Sequence, residues 1–111
     1  MERGDTLHRV SFDGDRPVLQ EGTVVRCGLI QAIVEYNETF GDTACTGRDT
    51  LQRAAYEAGR LAWRPTAREA VAYAVEWLRK EAACRERDLA RARKLLAMTE
   101  QFAADLSVID P

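Results

Sequence analysis

The chain has 111 residues, is 46% hydrophobic and 31% charged, and carries a net charge of −2. These proportions predict one soluble globular domain over residues 1–111, and an isoelectric point near 5.4 disfavours a dedicated nucleic-acid binder. No apolar run reaches the ~18 residues of a membrane span, and no signal peptide is expected at the N-terminus. Three widely spaced cysteines fit a reduced compartment, so we expect a cytoplasmic protein.

Residues 7–47 predict a small antiparallel sheet of three to four strands, preceded by a frayed N-terminus at residues 1–6. Alternating residues indicate a first strand over Leu7–Phe12, followed by a Gly- and Pro-containing turn. We expect a second strand over Val18–Cys27, interrupted at Glu21 and Gly22.

The segment Leu29–Tyr36 is the most hydrophobic strand candidate and carries apolar residues on both faces, which predicts a central strand. The following residues, 37–47, are expected to be irregular, although Thr43–Cys45 could form a short edge strand.

Two helices are predicted after the sheet. Helix one should span 49–63, with Asp49 as its N-cap and Pro65 beyond its end. Thr66 and Glu69 match a capping box, which predicts the start of a second helix over residues 66–104. Strands followed by helices indicate the α+β class.

The second helix is amphipathic and long for the domain, since its residues would extend roughly 57 Å. Positions spaced alternately four and three residues apart run from Val71 to Leu106, and all of them except Arg85 and Thr99 are apolar. Such a stripe is either the core face of a helix within one chain or the seam of a dimer. We favour a homodimer, with an interface formed by Leu78, Leu89, Leu96, Phe102 and Leu106.

Residues that carry chemistry do not form a recognisable set. His8 is the only histidine, and the cysteines lack metal-ligand spacing, so no metal, cofactor or catalytic residue is predicted. Cys45 lies just before the expected start of helix one, where a helix dipole would lower the pKa of its thiol. We therefore expect a protein that is not an enzyme.

Two other functions remain open. A small-ligand-binding module would use an aromatic-lined pocket between sheet and helices, formed by Tyr36, Phe40, Tyr56, Trp63, Tyr73 and Trp77. A nucleic-acid-associated regulator would use a basic face on the long helix, formed by Lys80, Arg87, Arg91 and Lys94. Nearby acids that can pair with these cations along the helix disfavour the nucleic-acid alternative.

One local stretch resembles a known family. Residues 41–51, GDTACTGRDTL, lead into an Ala-rich helix and resemble the strand-to-helix junction of HicB-type antitoxin domains over about 20 residues. The resemblance implies an antitoxin-like regulator, but this chain continues into a long helix where those domains add a strand. The sequence as a whole favours a small cytosolic interaction or regulatory protein that acts as a homodimer.

Overall fold

The computed structural model describes residues 1–14, 16–40 and 42–109, with the side chains of 39, 40 and 107–109 left undescribed. The fold is α+β, as predicted: a four-stranded antiparallel sheet is followed by a short and a long helix. The strands are β1 (Thr6–Asp13), β2 (Arg16–Cys27), β3 (Gln31–Phe40) and β4 (Thr43–Gln52), and they lie in chain order. The helices are α1 (Arg53–Glu57) and α2 (Ala67–Ile109).

Strand β3 is central, as expected, but it begins two residues later and extends to Phe40. The predicted irregular stretch 37–47 is wrong, because β3 and β4 pair continuously from Gln31 with Gln52 to Phe40 with Thr43. The interruption of β2 at Gly22 is also wrong. Gly22 pairs with Tyr36, and the register shifts farther along, between Val24 and Arg26.

Helix one is much shorter than predicted. Residues 49–52 belong to β4, so Asp49 caps no helix, and α1 spans only Arg53–Glu57. The helix ends because Gly59 adopts a φ of +73°. The amide of Gly59 donates to the Tyr56 carbonyl and that of Arg60 donates to the Ala55 carbonyl, which is the Schellman pattern of helix termination.

The long helix begins where its capping box predicts. The amide of Glu69 donates to the Thr66 hydroxyl oxygen at 3.2 Å, and the helix continues to Ile109, beyond the predicted end at residue 104. Residues Met1–Val75 form one compact unit and Glu76–Pro111 form a second, so α2 contributes to both.

The core of the first unit lies on one face of the sheet. It contains Leu7, Val24, Ala32, Val34, Leu51 and Trp63, each at most 4% exposed. Trp63 follows α1 and covers the sheet at Gly22. A Cβ atom on Gly22 would lie 2.5 Å from a methyl of Val34 and 2.9 Å from the Trp63 ring.

The N-terminus is held to the sheet, which corrects the expectation that residues 1–6 fray. The amide of Gly4 donates to the Val24 carbonyl at 2.7 Å, and the amide of Val24 donates to the Asp5 carbonyl at 2.9 Å. On the open edge of β1, His8 and Arg64 exchange two backbone hydrogen bonds. The segment after α1 therefore closes this edge locally.

Replacing Gly22 with alanine should destabilise the first unit by about 1–3 kcal/mol, because the added methyl overpacks a fully buried site. Gly28→Ala is the matched control, since a Cβ atom there meets nothing closer than 3.4 Å. Urea denaturation of both variants measures the difference. Equal unfolding midpoints would contradict the close approach of Trp63 to β2.

Candidate interaction surface

The face of α2 that packs within the first unit is not the predicted apolar seam. Ala70 is fully buried and Tyr73 is half-buried, with its hydroxyl donating to the Arg60 carbonyl at 3.1 Å. The seam residues Val71 and Val75 are 47% and 41% exposed. Within this unit the helix therefore uses one face for its own core and leaves the seam uncovered.

The seam is also exposed throughout the second unit. The predicted interface residues are between 44% and 65% exposed, and they are Leu78, Leu89, Leu96, Phe102 and Leu106. Leu95 and Met98, at 51% and 60%, widen the apolar stripe toward the C-terminus. The second unit thus carries a stripe of exposed apolar side chains, densest from Leu89 to Leu106, and such surfaces mark interaction sites.

The two polar seam positions interrupt this surface less than their residue types suggest. The Thr99 hydroxyl donates to the Leu95 carbonyl at 2.7 Å, so its hydrogen-bonding need is met within the helix. Arg85 lies 3.9 Å from the Glu81 carboxylate of the preceding turn, a weak exposed pair. Only Arg85 therefore places a charge in the seam.

Two of the predicted pocket residues, Tyr36 and Trp63, form a packed cluster with Arg9. Their ring centroids are 5.5 Å apart, and the Arg9 guanidinium carbon lies 4.6 Å from the Tyr36 centroid and 4.5 Å from that of Trp63. The Tyr36 ring in turn covers Gly47, where a Cβ atom would lie 2.5 Å from it. Arg9 occupies the space that a ligand would need.

Asp49 joins this cluster from β4. Its carboxylate accepts hydrogen bonds from Arg9 at 2.7 Å, from the Trp63 indole nitrogen at 2.8 Å and from the Tyr36 hydroxyl at 3.4 Å. Arg9 also donates to the Gln20 side-chain oxygen. Charge and hydrogen bonding are satisfied inside the cluster, which makes it a structural element of the sheet.

Tyr56, another predicted pocket residue, contacts a different arginine. Tyr56 packs under the Arg64 guanidinium, 5.0 Å from its ring centroid. Burial raises the pKa of the Tyr56 hydroxyl, and the charge of Arg64 offsets part of that rise. Trp77 is a half-exposed residue of the second unit, and the side chain of Phe40 lies outside the described residues.

Two surface clefts of the described residues are lined by other side chains. One, of about 450 Å³, lies between the ends of β1 and β2 beside Phe12 and Leu19, and the other surrounds the β2–β3 turn. The predicted aromatic residues line neither of these two clefts, and the ligand-binding alternative stays a prediction.

The predicted basic face is partly neutralised along the helix. Lys80 lies 3.2 Å from the Glu76 carboxylate, one turn earlier. Arg87 donates to the Ala83 carbonyl at 3.4 Å. In the described part of the chain, Arg91 and Lys94 make no ion pair. Arg87 likewise forms no ion pair there, so three of the four cations are available to an anion. Binding of nucleic acid stays a prediction.

Cys45 and the possible metal ligands are the remaining candidates for chemistry. Cys45 is exposed in β4 opposite Glu38, so it does not lie at a helix start. Among the described residues, no three His, Cys, Asp or Glu side chains form a group that could hold a metal ion.

One exposed apolar site, at the β2–β3 turn, was not predicted from the sequence. Leu29 and Ile30, which were expected in a buried strand, form the β2–β3 turn and are 95% and 72% exposed. Gly28, immediately before them, was the signal that marked the turn.

Comparisons with protein-family models, curated proteins and solved structures find no match to this chain. The resemblance to the HicB-type junction therefore stays a local one. In the described ranges, neither helix combines the length and apolar content that crossing a membrane requires. The interaction surface is identified by its own geometry alone.

Removing the Asp49 carboxylate should destabilise the first unit by about 2 kcal/mol, because three donors lose their acceptor at once. Asp49→Ala is the test variant. Glu35→Ala is the control, since Glu35 pairs only with exposed Arg48, at 2.9 Å, and its loss should cost under about 1 kcal/mol. Chemical denaturation compares the two, and an equal loss of stability would refute the structural role of the cluster.

Proposed function

We propose that this chain is a small, non-enzymatic interaction or regulatory protein of the cytosol that acts as a homodimer through the apolar stripe of α2. One observation carries the proposal: the seam from Leu78 to Leu106 is exposed along the second unit. Exposed apolar side chains that repeat at heptad spacing are the pattern by which helices recognise helices.

The energetics support association. Burying the exposed half of a large apolar side chain contributes about 1 kcal/mol. The five interface residues of two copies would then contribute about 10 kcal/mol, which is comparable with the roughly 4–15 kcal/mol cost of association. Leu95 and Met98 add further area. A micromolar Kd corresponds to a net free energy of about −8 kcal/mol, so the dimer also needs the contributions of these two residues and of close helix packing.

A role without catalysis is supported by how the polar residues of the first unit are used. Asp49 is engaged by Arg9 and Trp63, and Glu35 is engaged by Arg48. These carboxylates support the sheet. Cytosolic residence rests on the sequence composition, with three free cysteines.

Placing a charge in the stripe should separate the dimer. Leu96→Asp removes an apolar contact from both copies and buries a carboxylate, so it should yield a monomer at micromolar concentration. Ala97→Asp, the neighbouring substitution, adds the same charge off the seam and should leave the dimer intact. Sedimentation velocity measures both. A monomeric wild type, or two variants that behave alike, would rule out the proposal.

A further inference from the structure

The apolar stripe of the second unit is bordered by two edges with different charge patterns. In heptad notation, the a positions are Ala82, Leu89, Leu96 and Ala103, and the d positions are Leu78, Arg85, Ala92, Thr99 and Leu106. The e edge, beside the a positions, carries Arg79, Glu86, Arg93 and Glu100. The g edge, beside the d positions, carries Glu81, Asp88, Leu95 and Phe102. Charges therefore alternate in sign along the e edge.

Three of the four e-edge charges have no opposite charge at ion-pairing distance on their own helix. Glu86, Arg93 and Glu100 are exposed, and none of them forms an ion pair among the described residues. Ion pairs on a helix need an opposite charge three or four residues away. All residues at those distances from these three are alanine or leucine. The charges are therefore available to a partner that covers the stripe.

We propose that the partner is a second copy of this chain whose α2 runs antiparallel, with the two e edges side by side. The inference rests on the proposed homodimer and adds its orientation. Edge charges are the features by which paired helices select their orientation. When one helix is reversed, its e edge lies beside the e edge of the partner. In the register that overlaps the two stripes fully, Arg79 then meets the partner's Glu100 and Glu86 meets the partner's Arg93.

A parallel pair would oppose like charges. In that orientation each seam residue meets its own copy, so Arg85 would face the partner's Arg85 inside the seam. The e edge would lie beside the partner's g edge, which places Glu86 next to the partner's Glu81. Only Arg93, beside the partner's Asp88, would gain a favourable contact. Like charges across an interface disfavour that orientation.

The antiparallel pair removes both conflicts. Each d position then faces an a position of the partner, and every a position in the second unit is alanine or leucine. The Arg85 stem can lie along such a residue while its guanidinium reaches water. The g edge carries both of its acids in its N-terminal half. Reversal places them opposite the apolar C-terminal half and keeps the two pairs of acids apart.

Two double variants test the orientation in this register. Glu86→Arg with Glu100→Arg makes the e edge entirely basic, and Arg79→Glu with Arg93→Glu makes it entirely acidic. In the antiparallel pair each variant should form a homodimer about tenfold weaker than wild type at low salt. Mixing the two should yield a heterodimer at least tenfold tighter than either homodimer. High salt should reduce these differences.

The control is Arg87→Glu with Lys94→Glu, which lowers the net charge as much as the acidic-edge variant does. Because these two residues lie on the face away from the seam, the Kd should stay unchanged. Sedimentation equilibrium gives the Kd values, and circular dichroism shows that the variants stay helical. A basic-edge homodimer tighter than wild type would indicate the parallel pair and overturn the inference. Unchanged Kd values would overturn it as well. A monomeric wild type would instead remove the proposed function itself.

Discussion

The first unit depends on the placement of one large ring, that of Trp63, against a sheet that leaves space for it. Trp63 is 2% exposed, although no regular helix of useful length covers that face. The space exists because Gly22 has no side chain, so the ring approaches the β2 backbone. The Asp49 carboxylate then fixes the indole nitrogen. A small core becomes possible because one aromatic side chain does the covering that a longer helix would provide.

The second unit differs from the first, because it is a helix whose apolar side chains are not covered by other residues of that unit. An amphipathic helix is stabilised by burying its apolar face, so a helix with an exposed apolar stripe gains free energy when that stripe is covered. The seam at Val71 and Val75 remains exposed even where α2 packs through Ala70. Within the first unit, the helix therefore buries one face and leaves its apolar seam exposed.

The sequence predicted the features that depend on local chemistry. The α+β class, the cap at Thr66 and the exposed heptad seam follow from residue types at fixed spacing, and the structure contains them. The extent of β4 was missed because Asp49 also fits a helix cap, and only pairing with β3 decides between the two. Gly59 falls inside the predicted helix one for a similar reason: its positive φ ends α1, but a glycine in an Ala-rich segment does not reveal which side of a helix end it occupies.

The contacts of the aromatic cluster could not be predicted, since they join strands that are far apart in the chain. Arg9 reaches Asp49 across the sheet, and no local pattern links those two positions. Aromatic residues predicted as a pocket lining therefore proved to be partners of an arginine. The same limit applies to Leu29 and Ile30, whose exposure depends on where the β2–β3 turn falls.

The two edge strands of the sheet, β1 and β4, differ in how their outer backbone groups are covered. The β1 end is closed at His8 by backbone bonds from Arg64, whereas β4 is the terminal strand at the other end, with no further strand beside it in the described residues. An unpaired edge strand can add another chain, and natural sheets resist this with charged residues on the edge. Arg48 and Asp49 occupy the middle of β4. Their charges should therefore disfavour the addition of a further strand to this edge of the sheet.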